Sequence, residues 1–350
     1  MTNRIIIQKN WNRIFSAAEE IGEMKPWEWM AETDIFGIRI PGTERLYFIS
    51  VMGSAGEVTA ISAYMGTRAL GMFWELQQIS SESLASLITG SRILLISHLM
   101  LDFTEGKDLE PEKIKRIKSL GARPSNDKQW PVLHQVVPGF VPYEPEEQAL
   151  GDAAIIFEQC PEIFRNTKED EDFTYPYEDN DDLYLIRETK EGSESEWQNN
   201  FKEVFIEPVE YKSRFSTNDL TRLSGFPVKP SILQIDLAML PTPVKEGKNK
   251  PYFPFILLAV DKKTGIVLDF ETLPPLPDID TMYESITQIF LTMLLKQNYR
   301  PYHIELRSDI LTTLLSELID KAGIILSKPG QMKAMDEAVD GLLGHMGGNR

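Results

Sequence analysis

The chain has 350 residues, a net charge of −17 and a single cysteine, with hydrophobic and charged fractions ordinary for a globular protein. That length predicts about two domains with sizeable cores; the lone Cys160 excludes an intramolecular disulfide, and His98, His134, His303 and His345 show no zinc-ligand spacing. The first residues carry no signal-peptide pattern and no apolar run approaches the ~20 residues of a membrane span, so a cytoplasmic protein without a membrane partner is expected.

Trp11, Ile14, Phe15, Ala18 and Ile21 recur at helical spacing, which predicts an amphipathic helix over 10–22. Strands are expected next in DIFGIRI, YFISVMG and EVTAISAYMG, with a turn at Gly53 to Gly56. A helix from about Ser80, a strand in RILLISHLML and a helix from Pro111 follow. The stretch WPVLHQVVPGFVPYEP, stiffened by Pro131, Pro138, Pro142 and Pro145, reads as an ordered loop before a helix from Glu146 to Phe164. Trp27, Trp29, Trp130, Phe140 and Tyr143 are expected to pack cores and fix loops, and a ligand groove lined by them is the functional alternative. Cys160, in a helical apolar pattern, is expected to be a buried, unreactive thiol.

The acidity is concentrated. Residues 168–196 hold 12 Asp and Glu against 3 Lys and Arg, a net of −9 that leaves −8 for everything else. Such a run repels itself and has little to bury, so residues 166–200 read as an exposed, partly disordered connector between a unit at 1–165 and a unit at 201–350. An acidic decoy that occupies a nucleic-acid-binding protein is the functional alternative.

In the second unit ILQIDLAML, YFPFILLAVD and GIVLDFETL read as strands, the last two joined through DKKTG with Gly265 at the turn. A helix over 280–297 places Met282, Ile286, Ile289, Met293 and Leu294 on one face. Then come a strand in YHIELRS, a helix in DILTTLLSELIDKAG stopped by Gly323, a short strand in IILS and a closing helix in QMKAMDEAVDGLLGHM. The order is β-β-β-α-β-α-β-α. Lys245, Lys248 and Lys250 form a locally basic loop, expected to be a solvated turn, with phosphate contact as the alternative.

The halves read as divergent copies of one unit, an internal duplication of mixed sheets flanked by helices. Val51, Gly56 and Val58 match Val260, Gly265 and Val267, and ALGDAAIIFE lies over AMDEAVDGLL. Where Asp236 stands in the second unit, the first has Ile38.

The element order over residues 230–346, with IDLAML, LLAVDKKTGIVLDFE and HIELRSD, resembles the ribonuclease-H-like fold that includes retroviral-type integrases and transposase cores. That resemblance implies catalytic carboxylates at Asp236 on the first strand, Asp309 after the fourth, and Glu337 or Asp336 on the last helix, with Glu284 as an additional acid. In such enzymes paired divalent ions, Mg2+ or Mn2+, activate water for attack on a phosphodiester. Asp236, flanked by Ile235 and Leu237 in a strand, asks for either a metal or a partner. The strings KPWEWMAETDIFGI, WPVLHQVVPGFVPYEPEEQAL and DLAMLPTPV resemble a bacterial family pairing two domains of unknown function, which brings no catalytic residue with it.

No P-loop, dinucleotide fingerprint or hydrolase elbow is present. The acidity and the lack of an aromatic-basic surface make nucleic acid an unexpected partner. The expected function is therefore a non-catalytic interaction or ligand-binding protein without a cofactor, whose partner is a protein or a small ligand. The alternative is a divalent-metal-dependent nuclease or strand-transfer enzyme working through Asp236, Asp309 and Glu337.

Overall fold

The structure, a computed structural model, describes residues 2–54, 58–78, 92–125, 127–176, 180, 182–193, 195–206 and 211–347. Chain contacts divide it into two compact units, one of Met1–Ser80, Ile93–Val137 and Pro142–Pro208, the other chiefly of Val209–Arg350 with Pro138–Val141. The helix expected from Ser80 and part of the turn at Gly53 to Gly56 lie outside the described residues.

The first unit is a seven-stranded mixed sheet. Its strands are β1 (Phe36–Arg39), β2 (Leu46–Met52), β3 (Ala60–Met65), β4 (His98–Glu105), β5 (Gln129–Val136), β6 (Leu183–Thr189) and β7 (Trp197–Glu203), in the order β5-β4-β3-β2-β1-β6-β7. Every neighbouring pair is antiparallel except β1 and β6. Gly37 permits that parallel seam, because a Cβ there would collide with the end of the buried Ile186 side chain. Alternation along β2 sorts the core: Tyr47, Ile49 and Val51 join helices α1 (Thr2–Met24) and α4 (Glu147–Glu169), whereas Phe48 faces α2 (Gly66–Gln77) through Ala69, Leu70 and Phe73. Helix α3 (Pro111–Leu120) adds Ile117 and Leu120 to the first of these clusters.

Two expectations are corrected here. Residues 166–200 are not a connector: α4 runs to Glu169, and β6 and β7 form a hairpin within the sheet, with Tyr184, Leu185 and Ile186 buried. Glu169, Asp170, Glu171, Asp172, Asp182 and Glu191 flank the strand at exposed positions, which is why composition hid LYLIRET. The supposed proline-rich loop contains β5, and Pro131 is tolerated because β5 lies at the sheet edge. β4 adds antiparallel to β3, and the parallel neighbour of β1 is the later strand β6.

The second unit carries a five-stranded sheet of β8 (Val228–Met239), β9 (Phe255–Asp261), β10 (Val267–Leu273), β11 (Arg300–Leu306) and β12 (Ile325–Ser327), ordered β10-β9-β8-β11-β12. β8 is antiparallel to β9 and parallel to β11, and β11 is parallel to β12. This is the ribonuclease-H-like arrangement anticipated from the element order. Helix α5 (Thr217–Ser224), capped by Ser216, packs on α6 (Ile279–Lys296). α6 and α7 (Asp309–Lys321) lie against β10 and β11, on the face that buries Leu233 and Ile235. Helix α8 (Lys333–Gly347) covers the other face, with Met332, Met335 and Val339 against Ala238, Ile256, Leu258 and Val260. Both units thus contain a three-stranded meander whose first strand also pairs with a parallel one, β3-β2-β1-β6 and β10-β9-β8-β11.

Candidate functional site

Alternation on β8 sends Leu233 and Ile235 into the α6–α7 core and turns Gln234 and Asp236 toward α8. β11 runs parallel in the register Gln234 to Glu305 and Ile235 to Leu306, so the next step sets Arg307 beside Asp236. Arg307 Nε donates to Asp236 Oδ2 at 2.7 Å and Nη2 lies 2.5 Å from the same oxygen, while Nη1 donates to Asp336 on α8. Asp236 Oδ1 accepts from the Leu237 amide at 3.0 Å. Both carboxyl oxygens of Asp236 are therefore occupied, and one guanidinium bridges the strand acid and the helix acid.

The electrostatics follow from burial. Desolvation pushes the Asp236 carboxyl above its ordinary value; the Arg307 charge, its hydrogen bond and the Leu237 amide oppose that rise, and the Asp336 charge adds to it. Desolvation lowers Arg307, but attraction to Asp236 and Asp336 outweighs it and leaves the guanidinium above its usual value. Asp236 is 6% exposed at its side chain and Asp336 46%, so the first contact is a buried pair and the second is half in solvent.

Beside this pair, Gln234 Nε2 donates to Glu305 Oε2 at 2.8 Å, and Gln234 Oε1 accepts from the Met335 amide at 3.0 Å in the first turn of α8. Lys262 Nζ lies 2.6 Å from Glu305 Oε1. Desolvation works against ionisation of Glu305, yet hydrogen bonds from Gln234 and Lys262 hold its pKa below the usual carboxylate range. Beside the apolar cluster under α8, these side chains thus form a polar network whose members satisfy one another.

Of the expected acids only Asp236 and Asp336 come together. Asp309 is exposed at the start of α7 and pairs with Lys328, Glu284 pairs with Arg214 at 3.0 Å, and Glu337 is exposed. A divalent cation does not fit this donor set. It would need several converging carboxylates, and the guanidinium of Arg307 fills the space between the two that converge. Among the described residues no group of three or more His, Cys, Asp or Glu side chains is placed to hold a metal ion. The residue that sequence reasoning missed is Arg307; the signal was the parallel register of β8 and β11.

The first unit repeats the placement without the strand acid. Ile38 of β1 is in register with Arg187 of β6. Arg187, 5% exposed at its side chain, donates to Glu162 of α4 at 2.9 and 2.5 Å, to Gln159 at 3.0 Å and to Asn199 at 3.0 Å, and lies over the Trp197 ring. Buried Asp152 of α4 accepts from Arg45 Nε and Nη2, both at 2.9 Å, and from Tyr47 Oη at 2.9 Å. Trp130 is core and Trp27 packs in a tilted contact on Phe103, ring centroids 5.1 Å apart, as packing residues do.

Family comparison agrees with this division. A family described as Domain of unknown function (DUF7309) matches residues 11–187, just over half of the chain, and Domain of unknown function (DUF6930) matches residues 219–343. No curated protein is significantly similar to the chain. Among solved structures, the catalytic core domain of BIV integrase superposes with a TM-score of 0.24 at 16% identity, covering 32% of this chain and 66% of that one. The chain thus spans just under two thirds of that domain's length. Among the described residues no helix is long and apolar enough to cross a membrane.

Proposed function

From a chain that belongs to the DUF7309 family and carries a DUF6930 region behind it, we propose a non-catalytic cytoplasmic protein that uses a ribonuclease-H-like scaffold to bind a protein or small ligand. One observation carries this reading: Arg307 bridges Asp236 and Asp336, the two acids a metal-dependent phosphodiesterase would have to share. An internal cation sits between them, and both oxygens of Asp236 are engaged before any substrate could arrive. The acidic-decoy alternative loses its motive, because the centre of its arm is the buried strand β6. Deleting 168–196 would remove that strand and unfold the sheet, so it does not test for a decoy.

The test titrates Mg2+ and Mn2+ against the intact protein and Asp236→Asn, following melting temperature, with nuclease assays on DNA and RNA in parallel. The expected result is no metal-dependent shift specific to the wild type and no cleavage. Metal stabilisation lost in Asp236→Asn, or cleavage that depends on Asp236, would overturn the reading.

A further inference from the structure

Three ionisable side chains share one face of the β4–β5 ribbon. His98 and Asp102 flank Met100 on β4, and His134 of β5 stands opposite Met100 in register. His98 is 2% exposed, and the side chains of Asp102 and His134 are 13% and 22% exposed. His98 Nδ1 donates to the Ile96 carbonyl at 2.8 Å, which leaves Nε2 as a bare lone pair. His134 Nε2 lies 3.3 Å from Asp102 Oδ2. His98 Nε2, His134 Nδ1 and Asp102 Oδ1 are all buried without a hydrogen-bond partner, a concentration that native proteins rarely tolerate.

The surroundings offer little charge. From β3, the Tyr64 ring lies tilted with its centroid 5.4 Å from that of His98, and the neighbouring Ser62 and Ala60 are neutral. Lys113 of α3 acts on Asp102 and His134, and Glu144 acts on His134. β5 is a sheet edge held by β4, with one further bridge from Gln135 to Tyr143.

We propose that this row is a proton-operated latch on β5: closed while His98 is neutral and Asp102 and His134 share one proton, opened when both imidazoles become cationic. Burial supports the closed form, lowering His98 and His134 to about 4 and raising Asp102 to about 7. For the imidazoles the folded value lies below the unfolded one, so their contribution is whole above pH 6.5 and is lost as pH falls toward 4. For Asp102 the folded value lies above the unfolded one, so its contribution is whole below pH 3.8 and is lost as pH rises through about 7. Between pH 6.5 and 4 two imidazole protons oppose one carboxyl proton. The net effect raises the opening equilibrium about tenfold per pH unit.

Amide hydrogen exchange on the intact protein, corrected for intrinsic rates, reads the opening directly. The β5 amides are expected to lose about tenfold protection per pH unit below 6.5 while those of β1 and β2 hold. A variant carrying His98→Phe and His134→Gln is expected to lose this acid limb. Imidazole 15N shifts of the wild type give the same answer without substitution: His98 stays neutral, with its proton on Nδ1, down to about pH 4. Imidazoles titrating near 6.5, β5 protection indifferent to pH, or an acid limb kept by the variant would overturn the latch.

Discussion

Replacing Arg307 with methionine removes the guanidinium and keeps much of the apolar stem. Asp236 is then left with the Leu237 amide alone. The folded variant has two options. Keeping an unpaired buried charge costs about 3–5 kcal/mol. Protonating the carboxyl instead costs about 1.36 kcal/mol per unit between pH 7 and an unfolded value near 3.9, about 4 kcal/mol in total. The smaller penalty governs, so a loss of about 3–4 kcal/mol is expected at pH 7. The contact to Asp336 adds little, because that acid is half in solvent. At pH 5 protonation costs only about 1.5 kcal/mol, and the loss shrinks accordingly. The sign is that of a carboxyl raised on folding: stability is whole below its unfolded value and is lost as pH rises. Adding Asp236→Asn to Arg307→Met removes the stranded charge and is expected to return the protein to within about 1 kcal/mol of wild type. Urea midpoints at pH 5 and pH 7, at constant m, measure all of this. A loss below about 1 kcal/mol at pH 7, equal losses at both pH values, or a double variant as unstable as the single one would refute the account.

Asp152→Asn in the first unit keeps the shape of the acceptor but removes the charge that meets Arg45 and Tyr47, and thermal melts should show a loss of about 1–3 kcal/mol. Tyr47→Phe, which deletes one of those three hydrogen bonds, should cost about 1 kcal/mol by the same measurement. Cys160 is fully buried and burial pushes its thiol up, so a thiol reagent should label it only as fast as the native protein opens and at once in urea. Stoichiometric labelling of the native protein within mixing time would contradict that burial.

The second unit was legible because its elements announce themselves by period. The α6 stripe of Met282, Ile286, Met293 and Leu294 and the alternation of ILQIDLAML need only local physics, and the order of such elements narrows the topology. β6 was hidden because acids at its ends and turns swamped four apolar residues in any composition window. β5 was hidden because Pro131 excludes a central strand but not an edge one. α2 carries Gly66 and Gly71, which weaken a helical reading that Leu70 and Phe73 then restore by packing. At the site, Asp236 was rightly singled out as an acid in need of a partner. The partner was illegible because Arg307 lies 71 residues away and meets it only through the β8–β11 register. Asp309 fits its N-terminal position on α7 as a local matter, with Ser308 supplying the cap, so its carboxylate was never free evidence of a metal site.

The parallel seam between β1 and β6 joins Ile38 to Arg187, a separation of 187 − 38 = 149 residues. During synthesis at about 5–20 residues per second, β1 waits roughly 7–30 s for its second neighbour to emerge. Throughout that interval the open flank of Phe36–Arg39 can pair with any passing strand. The nascent first half is therefore most exposed to misassembly just before β6 arrives, and anything that slows translation between α4 and β6 lengthens that exposure.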